Sequence, residues 1–412
     1  MAEPHQNATS GASPVAPEVP ARDPRDCPRG KVPNHVPEEW SEGRQPPTGP
    51  GRDLSLDLIR GLAMVILIFN HTAISSGVEQ VTGSVASAAE MLIAVSGVIV
   101  GIVFGARWRR LGGRATTGLL LRRARKLYLA SVAVVGLVGI LTLVPWLGTE
   151  ALVASPTMSP ATDSYAYDGW ARTLLAIISL EAGPWQFNIL GFFIAVIALS
   201  PLVLWALDRG AWPLVLLGSL ALYLFDKDFH PDPVPFQSER PFPLLTWQIL
   251  FVGGIVLGWH RAGFTRALGR WRRPLSVTVA GVAAVSAAGL VAAGLLLSES
   301  AWSEWELAHF DKGTLDGLRI MVMMALTAGL YLIFRHFEES LGRLVAPLLL
   351  PLGQNSFYVF IVHVFWCLAV ASIPVLAAGG LGAVGNSLVE ITGLLAIWLM
   401  VKRRFLFRWI PR

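Results

Sequence analysis

From about residue 55 to residue 401 the chain repeats one pattern, an apolar block followed by a short polar or charged stretch. A helix crossing a bilayer needs about 20 apolar residues. The blocks therefore predict an all-α polytopic membrane protein with about ten spanning helices in one bundle. They lie near 55–75, 86–105, 124–146, 188–207, 212–226, 244–260, 275–297, 316–335, 351–375 and 383–401. The 212–226 block is the shortest: Pro213 opens it, and Pro201 falls inside the block before it. The apolar piece Trp170–Glu181 is too short to span and is expected to lie on the outer surface.

The first fifty residues break the pattern. They hold eleven of the chain's 27 prolines, with few large aliphatic residues and scattered charge. Such a segment buries too little apolar surface to offset its ordering entropy, so residues 1–50 read as a disordered cytoplasmic tail and 51–412 as the membrane domain. No basic start with a short apolar core opens the chain, so the first span is expected to direct insertion itself. Composition agrees: 53% of residues are hydrophobic and 15% charged, too apolar for a soluble protein of this size.

Charge sets the expected orientation. Lys and Arg gather in 106–123, 261–274, 336–350 and the tail 402–412. The alternate loops are acidic: Asp163 and Asp168; Asp226, Asp228, Asp232 and Glu239; Glu299, Glu304, Glu306 and Asp311. By the positive-inside rule both termini face the cytoplasm. The net charge of +5 is thus a topology signal, and nothing forms the compact basic domain of a nucleic-acid binder. Cys27 and Cys367 are too differently placed to pair, and no His/Cys cluster has metal-ligand spacing. Phosphate-loop and nucleophile-elbow motifs are missing, as are repeats.

The candidate chemistry begins in the first span, RDLSLDLIRGLAMVILIFNHTAI. Arg60 and His71 are eleven residues apart, which brings them back to within roughly 20° on one helix face, about 16 Å apart along the axis. Asp57 falls close to that face. Ionisable groups in a span are costly and avoid lipid, so the face is expected to line a wet interior. His71 lies roughly 22 Å in from the cytoplasmic end. There an imidazole suits a general base taking a proton from a hydroxyl. Glu90 in the second span is at the same depth and would orient the ring and stabilise its imidazolium form. Both residues also read as helix-end groups satisfied by water. Asn70 points about 100° away and is expected to meet another neighbour.

Arg122, Arg123 and Arg125 crowd the entrance to the third span, in a geometry that suits phosphates. The topology rule also accounts for a basic loop there. Ser96-Gly97 reads as small-residue helix packing or close approach to a ligand. Gln248, beside Trp247, needs a polar partner; Asn355, Ser356 and His363 place three polar groups on one span, with His363 mid-membrane.

In order, Arg-Asp…Leu-Asp…Arg-Gly-Leu…Asn-His, Ala-Ala-Glu…Ser-Gly, Arg-Arg…Arg…Tyr and Trp-Gln…Phe-Val-Gly-Gly resemble the OpgC-type membrane proteins. These are linked to succinylation of osmoregulated periplasmic glucans. They are similar in turn to the acyltransferase-3 enzymes, whose first helix carries an Arg, ten residues, then a His. The resemblance is best over 52–130 and looser at 240–255 and 351–363. Val98 stands where an aromatic is common, Tyr128 where a Pro is, and Asn188-Ile-Leu-Gly replaces a Leu-Pro-Leu-Tyr style segment.

The resemblance implies acyl transfer from cytoplasmic acyl-CoA to an extracytoplasmic glycan, with no permanently bound cofactor. The acyl group would be of succinyl or acetyl type. His71 would be the base, and Arg60, Arg122, Arg123 and Arg125 would serve the donor's phosphates. The alternatives are N-acetylation of an amino sugar, as in heparan-glucosaminide acetyltransferase-like proteins, or transport of an anionic metabolite or glycan.

Overall fold

A computed structural model describes residues 53–72, 74, 76–77, 88–154, 165–230, 242–296, 298–337 and 340–410. The N-terminal tail lies outside these. Among the described residues there is no strand, and the helices pack about one large apolar core.

The helices are α1 (Leu54–His71), α2 (Ala88–Leu111), α3 (Gly113–Leu141), α4 (Trp170–Ser179), α5 (Asn188–Asp208), α6 (Trp212–Phe229) and α7 (Leu244–Leu268). They continue as α8 (Arg272–Leu296), α9 (Glu299–His309), α10 (Gly317–His336), α11 (Ser340–Gln354), α12 (Ser356–Ala371) and α13 (Gly382–Lys402). Among the described residues, seven are long and apolar enough to cross a membrane: α1, α2, α3, α5 with its leading turn, α8, α10 and α13. Counting α11 and α12 as one broken span makes eight, so the expected ten is not reproduced. Helices do stand where the other two spans were expected. However, α6 is a single 18-residue helix ending in Asp-Lys-Asp-Phe, and α7 carries Gln248, His260 and Arg261 within its length.

The expected continuous span at 351–375 also differs. The chain bends by 88° between α11 and α12. Pro347 and Pro351 sit inside α11, where each lacks an amide hydrogen. Asn355 Nδ2 then donates to the Pro351 carbonyl at 2.9 Å, ending the helix. Ser356 starts a new helix in a new direction.

Two pairs of helices approach with backbones in contact. Gly97 and Gly101 of α2 face the carbonyls of Phe251 and Ile255, while Gly254 and Gly258 of α7 face those of Ala94 and Val98. Small residues four apart on both partners permit this approach. Gly61 of α1 and Gly353 of α11 make the same reciprocal contact through Leu349 and Asp57. Asp53 fastens the start of α1. Its carboxylate accepts from Ser55 N at 3.1 Å, from Tyr331 Oη at 2.9 Å and from Arg261. One carboxylate thereby caps α1 and ties it to α7 and α10.

Candidate active site

His71 is the last residue of α1. The chain leaves the helix as Thr72 turns its hydroxyl back to the Ile68 carbonyl at 2.7 Å. The bend at Asn355 brings α12 alongside this end. His363 of α12 is fully buried, and its Nε2 lies 3.0 Å from His71 Nδ1. One turn further, Cys367 donates its thiol to the His71 carbonyl at 3.1 Å. Two residues four apart on α12 therefore grip both the ring and the backbone of His71.

The proton positions follow from the acceptors. His363 Nδ1 is 2.6 Å from the Phe360 carbonyl, which only accepts, so Nδ1 carries the hydrogen. A neutral His363 then offers its Nε2 lone pair to His71 Nδ1–H. His71 is left with an unprotonated Nε2, the nitrogen arrangement of a general base. In a serine-hydrolase triad a carboxylate orients the histidine; here a second histidine anchored on a backbone carbonyl occupies that place.

Glu90 was expected in that position. It is fully buried, but its partner is Arg319 of α10, whose Nε donates to Glu90 Oε1 at 2.6 Å. Arg319 Nη1 also donates to the Phe310 carbonyl at 2.8 Å. The shared depth of Glu90 and His71 gave the level but not the azimuth, and α10 supplies a cation that the carboxylate meets instead. Lys312, in the loop before α10, lies within electrostatic range of Glu90 and His71. Its side chain reaches solvent, yet protein surrounds the ammonium and pushes its pKa below the ordinary lysine value; Arg319 adds to this and Glu90 opposes it.

A cavity of about 80 Å³ lies between α1, α2, α3, α5, α7 and α12. Its polar lining is Arg60, Ser96, Arg123 and Ser356; the remainder is aliphatic and aromatic. Arg60 donates to the Ser356 hydroxyl and stands 3.9 Å from Asp57. Phe360 connects the cavity to the histidines, since its ring lines the cavity and meets His363 edge-on, centroids 5.1 Å apart. Arg122, Arg123 and Arg125 are all exposed, but successive side chains on α3 point about 100° apart, and of the three Arg123 lines the cavity.

The other polar residues divide between the cavity and the scaffold. Ser96 opens on the cavity, while Gly97 beside it packs on α7. Gln248 is satisfied away from the site, accepting from Ser219 Oγ at 2.7 Å and donating to the Ser219 carbonyl at 2.8 Å. Trp247 beside it is fully buried. Asn70 is half-buried next to His71, and Asn355 forms the helix break.

Three site residues escaped the sequence reading. Trp185 packs its ring on His71, centroids 4.9 Å apart at 66°. Arg319 was visible only as a cation near the start of an apolar helix, at the depth of Glu90. Phe360 looked like any core aromatic.

No curated protein and no solved structure matches the chain. The family model described as OpgC protein matches residues 52–409, from the residue before Asp53 through the last spanning helix. The match covers the helices that carry His71, His363 and the arginine-lined cavity, and the chain belongs to the OpgC protein family.

Proposed function

We propose that the protein is an acyl-CoA-dependent membrane acyltransferase that acylates a hydroxyl of an extracytoplasmic glycan, with His71 as general base. The observation that carries this reading is the chain Phe360 carbonyl, His363, His71, which leaves His71 Nε2 able to take a proton. Family membership supports a membrane acyltransferase-like function.

In the proposed reaction, His71 Nε2 removes the acceptor's hydroxyl proton as the oxygen attacks the thioester carbonyl. The tetrahedral intermediate collapses, the carbon–sulfur bond breaks, and the CoA thiolate leaves and takes the proton from His71. Arg60 and Arg123 line the donor cavity and provide cations for the CoA phosphates; Ser356, the first residue of α12, adds a hydroxyl beside the helix N-terminus. Arg122 and Arg125 stand outside the cavity and would serve the approach of the donor. Glu90 shapes the field at the base through Arg319 and Lys312 rather than by touching the ring. The donor cavity faces the cytoplasm in this scheme, with both chain ends on that side of a bacterial inner membrane.

The test uses the full chain in lipid nanodiscs with labelled succinyl-CoA and acetyl-CoA, following CoA release and transfer. His71→Ala is expected to lower turnover by about 10²–10⁴ while the folded yield is unchanged. His71→Gln should not rescue, because an amide accepts no proton at neutral pH. Near-normal turnover by His71→Ala would move the chemistry elsewhere. Mass spectrometry of envelope glycans with and without the protein identifies acyl group and acceptor together.

A further inference from the structure

Trp185 stands in the turn that leads into α5. The turn is closed by Phe187 N donating to the Pro184 carbonyl at 2.7 Å. It reaches both histidines: Trp185 packs on His71, and buried Phe187 packs on Phe360, centroids 5.6 Å apart, which in turn meets His363. The indole is fixed at its polar end, with Nε1 donating to the Ala151 carbonyl at 2.9 Å. Yet the side chain is only half-buried. A tryptophan serving purely as packing would bury its faces in the core. This one is held rigid, has its only donor engaged, and keeps apolar ring surface open next to the proposed base.

We infer that Trp185 is the aromatic wall of the acceptor subsite, taking the apolar C–H face of a sugar ring and setting one hydroxyl of that ring at His71 Nε2. The inference rests on the acyl-transfer reading above and names the residue that positions its acceptor. An indole with its N–H engaged can offer only a large apolar face, which suits the C–H side of a pyranose, whose hydroxyls point outward around the rim. Lys312 provides a polar companion. It has no ion-pair partner among the described residues, lies over the Phe242 ring at 5.0 Å, and is within electrostatic range of the same imidazole. Arg60 and Arg123 line a different space, separated from Trp185 by Phe360 and the histidine pair. Donor and acceptor contacts are therefore borne by different residues and can be removed independently.

The experiment measures CoA release from succinyl-CoA and acetyl-CoA by the nanodisc protein, with and without short gluco-oligosaccharides, and weighs the acylated sugar by mass spectrometry. For Trp185→Ala, the KM for sugar should rise by about tenfold or more, a larger change than any in sugar-independent release. Trp185→Phe keeps an aromatic face and should stay within a few-fold of the wild-type KM. If Trp185 only props the His71 ring, sugar-independent release falls in Trp185→Ala and the sugar KM is unchanged, which overturns the inference. Wild-type CoA release that no gluco-oligosaccharide accelerates would overturn the carbohydrate assignment alone. Absence of CoA release from both donors in the wild type would sink the acyl-transfer reading and this inference with it.

Discussion

Glu90 and Arg319 are each almost fully buried and lie within 2.6 Å, so the charge on either is tolerable only because of the other. Breaking a buried pair by removing one partner typically costs about 3–5 kcal/mol, whereas replacing both with apolar residues is often neutral. Glu90→Met and Arg319→Met should each lose that order of unfolding free energy in detergent, and the double variant should recover most of it. Additive losses would show that the pair is not coupled. Arg123→Ala should raise the KM for acyl-CoA by an amount corresponding to about 1.5–3 kcal/mol, and Arg122→Ala should leave it nearly unchanged. Equal effects would mean that the cavity is not where the donor's charge is read. The spacing of Arg60 and His71 was legible because helical periodicity is local. The meeting of His71 and His363 was not, because 292 residues separate them and only the bend at Asn355 brings them together.

Among the helices, α2 and α7 show most sharply what the sequence encodes. Their glycines recur every fourth residue, and a Cβ at Gly258 would collide with the Val98 carbonyl of the facing backbone. Backbone cannot move aside as a side-chain tip can. Gly258→Ala should therefore cut the yield of folded protein steeply, while Gly253→Ala, five residues earlier and facing open space, should be tolerated. Equal yields, measured by size-exclusion profile, would show that the helices can separate without harm. The small-residue pattern around Ser96-Gly97 was readable as packing. That Ser96 faces the cavity while its neighbour faces α7 was not, since the choice depends on where α5 and α12 lie. The broken span was signalled by Pro347, Pro351 and Asn355, yet hydropathy averages over such a break and reports a continuous block.

At the scale of the whole molecule, apolar side chains cover much of the outer surface. On α8, Val277, Val282 and Val285 are largely exposed, as expected of a helix facing lipid. The alternation of basic and acidic loops makes a directional prediction. In a Cys27→Ser background, cysteine at Ala166 should react with a membrane-impermeant reagent added outside intact cells, and cysteine at Thr265 should not. Both positions are exposed, and Cys367 is buried, so it contributes little background. Labelling of position 265 from outside would invert the topology and with it the assignment of donor and acceptor sides. The membrane class was plain from composition. The number of spans was not, because the blocks that become α6 and α7 read as spans by apolar length, while both helices carry polar groups satisfied against each other, as Ser219 and Gln248 are.

The Phe360 carbonyl that fixes the histidine pair belongs to the main chain. Every side-chain replacement at position 360 leaves that oxygen where it is, so a genetic screen for loss of function is blind to the group that sets the tautomers. The same oxygen has no proton to gain or lose across the pH range of living cells. An orienting carboxylate would add its own ionisation to the rate profile; this anchor adds none, so the profile carries the ionisations of the imidazoles without that of their anchor. The vulnerability lies in the helix itself: whatever unwinds the turn from Phe360 to His363 releases the anchor, and no substitution confined to the histidines could restore it.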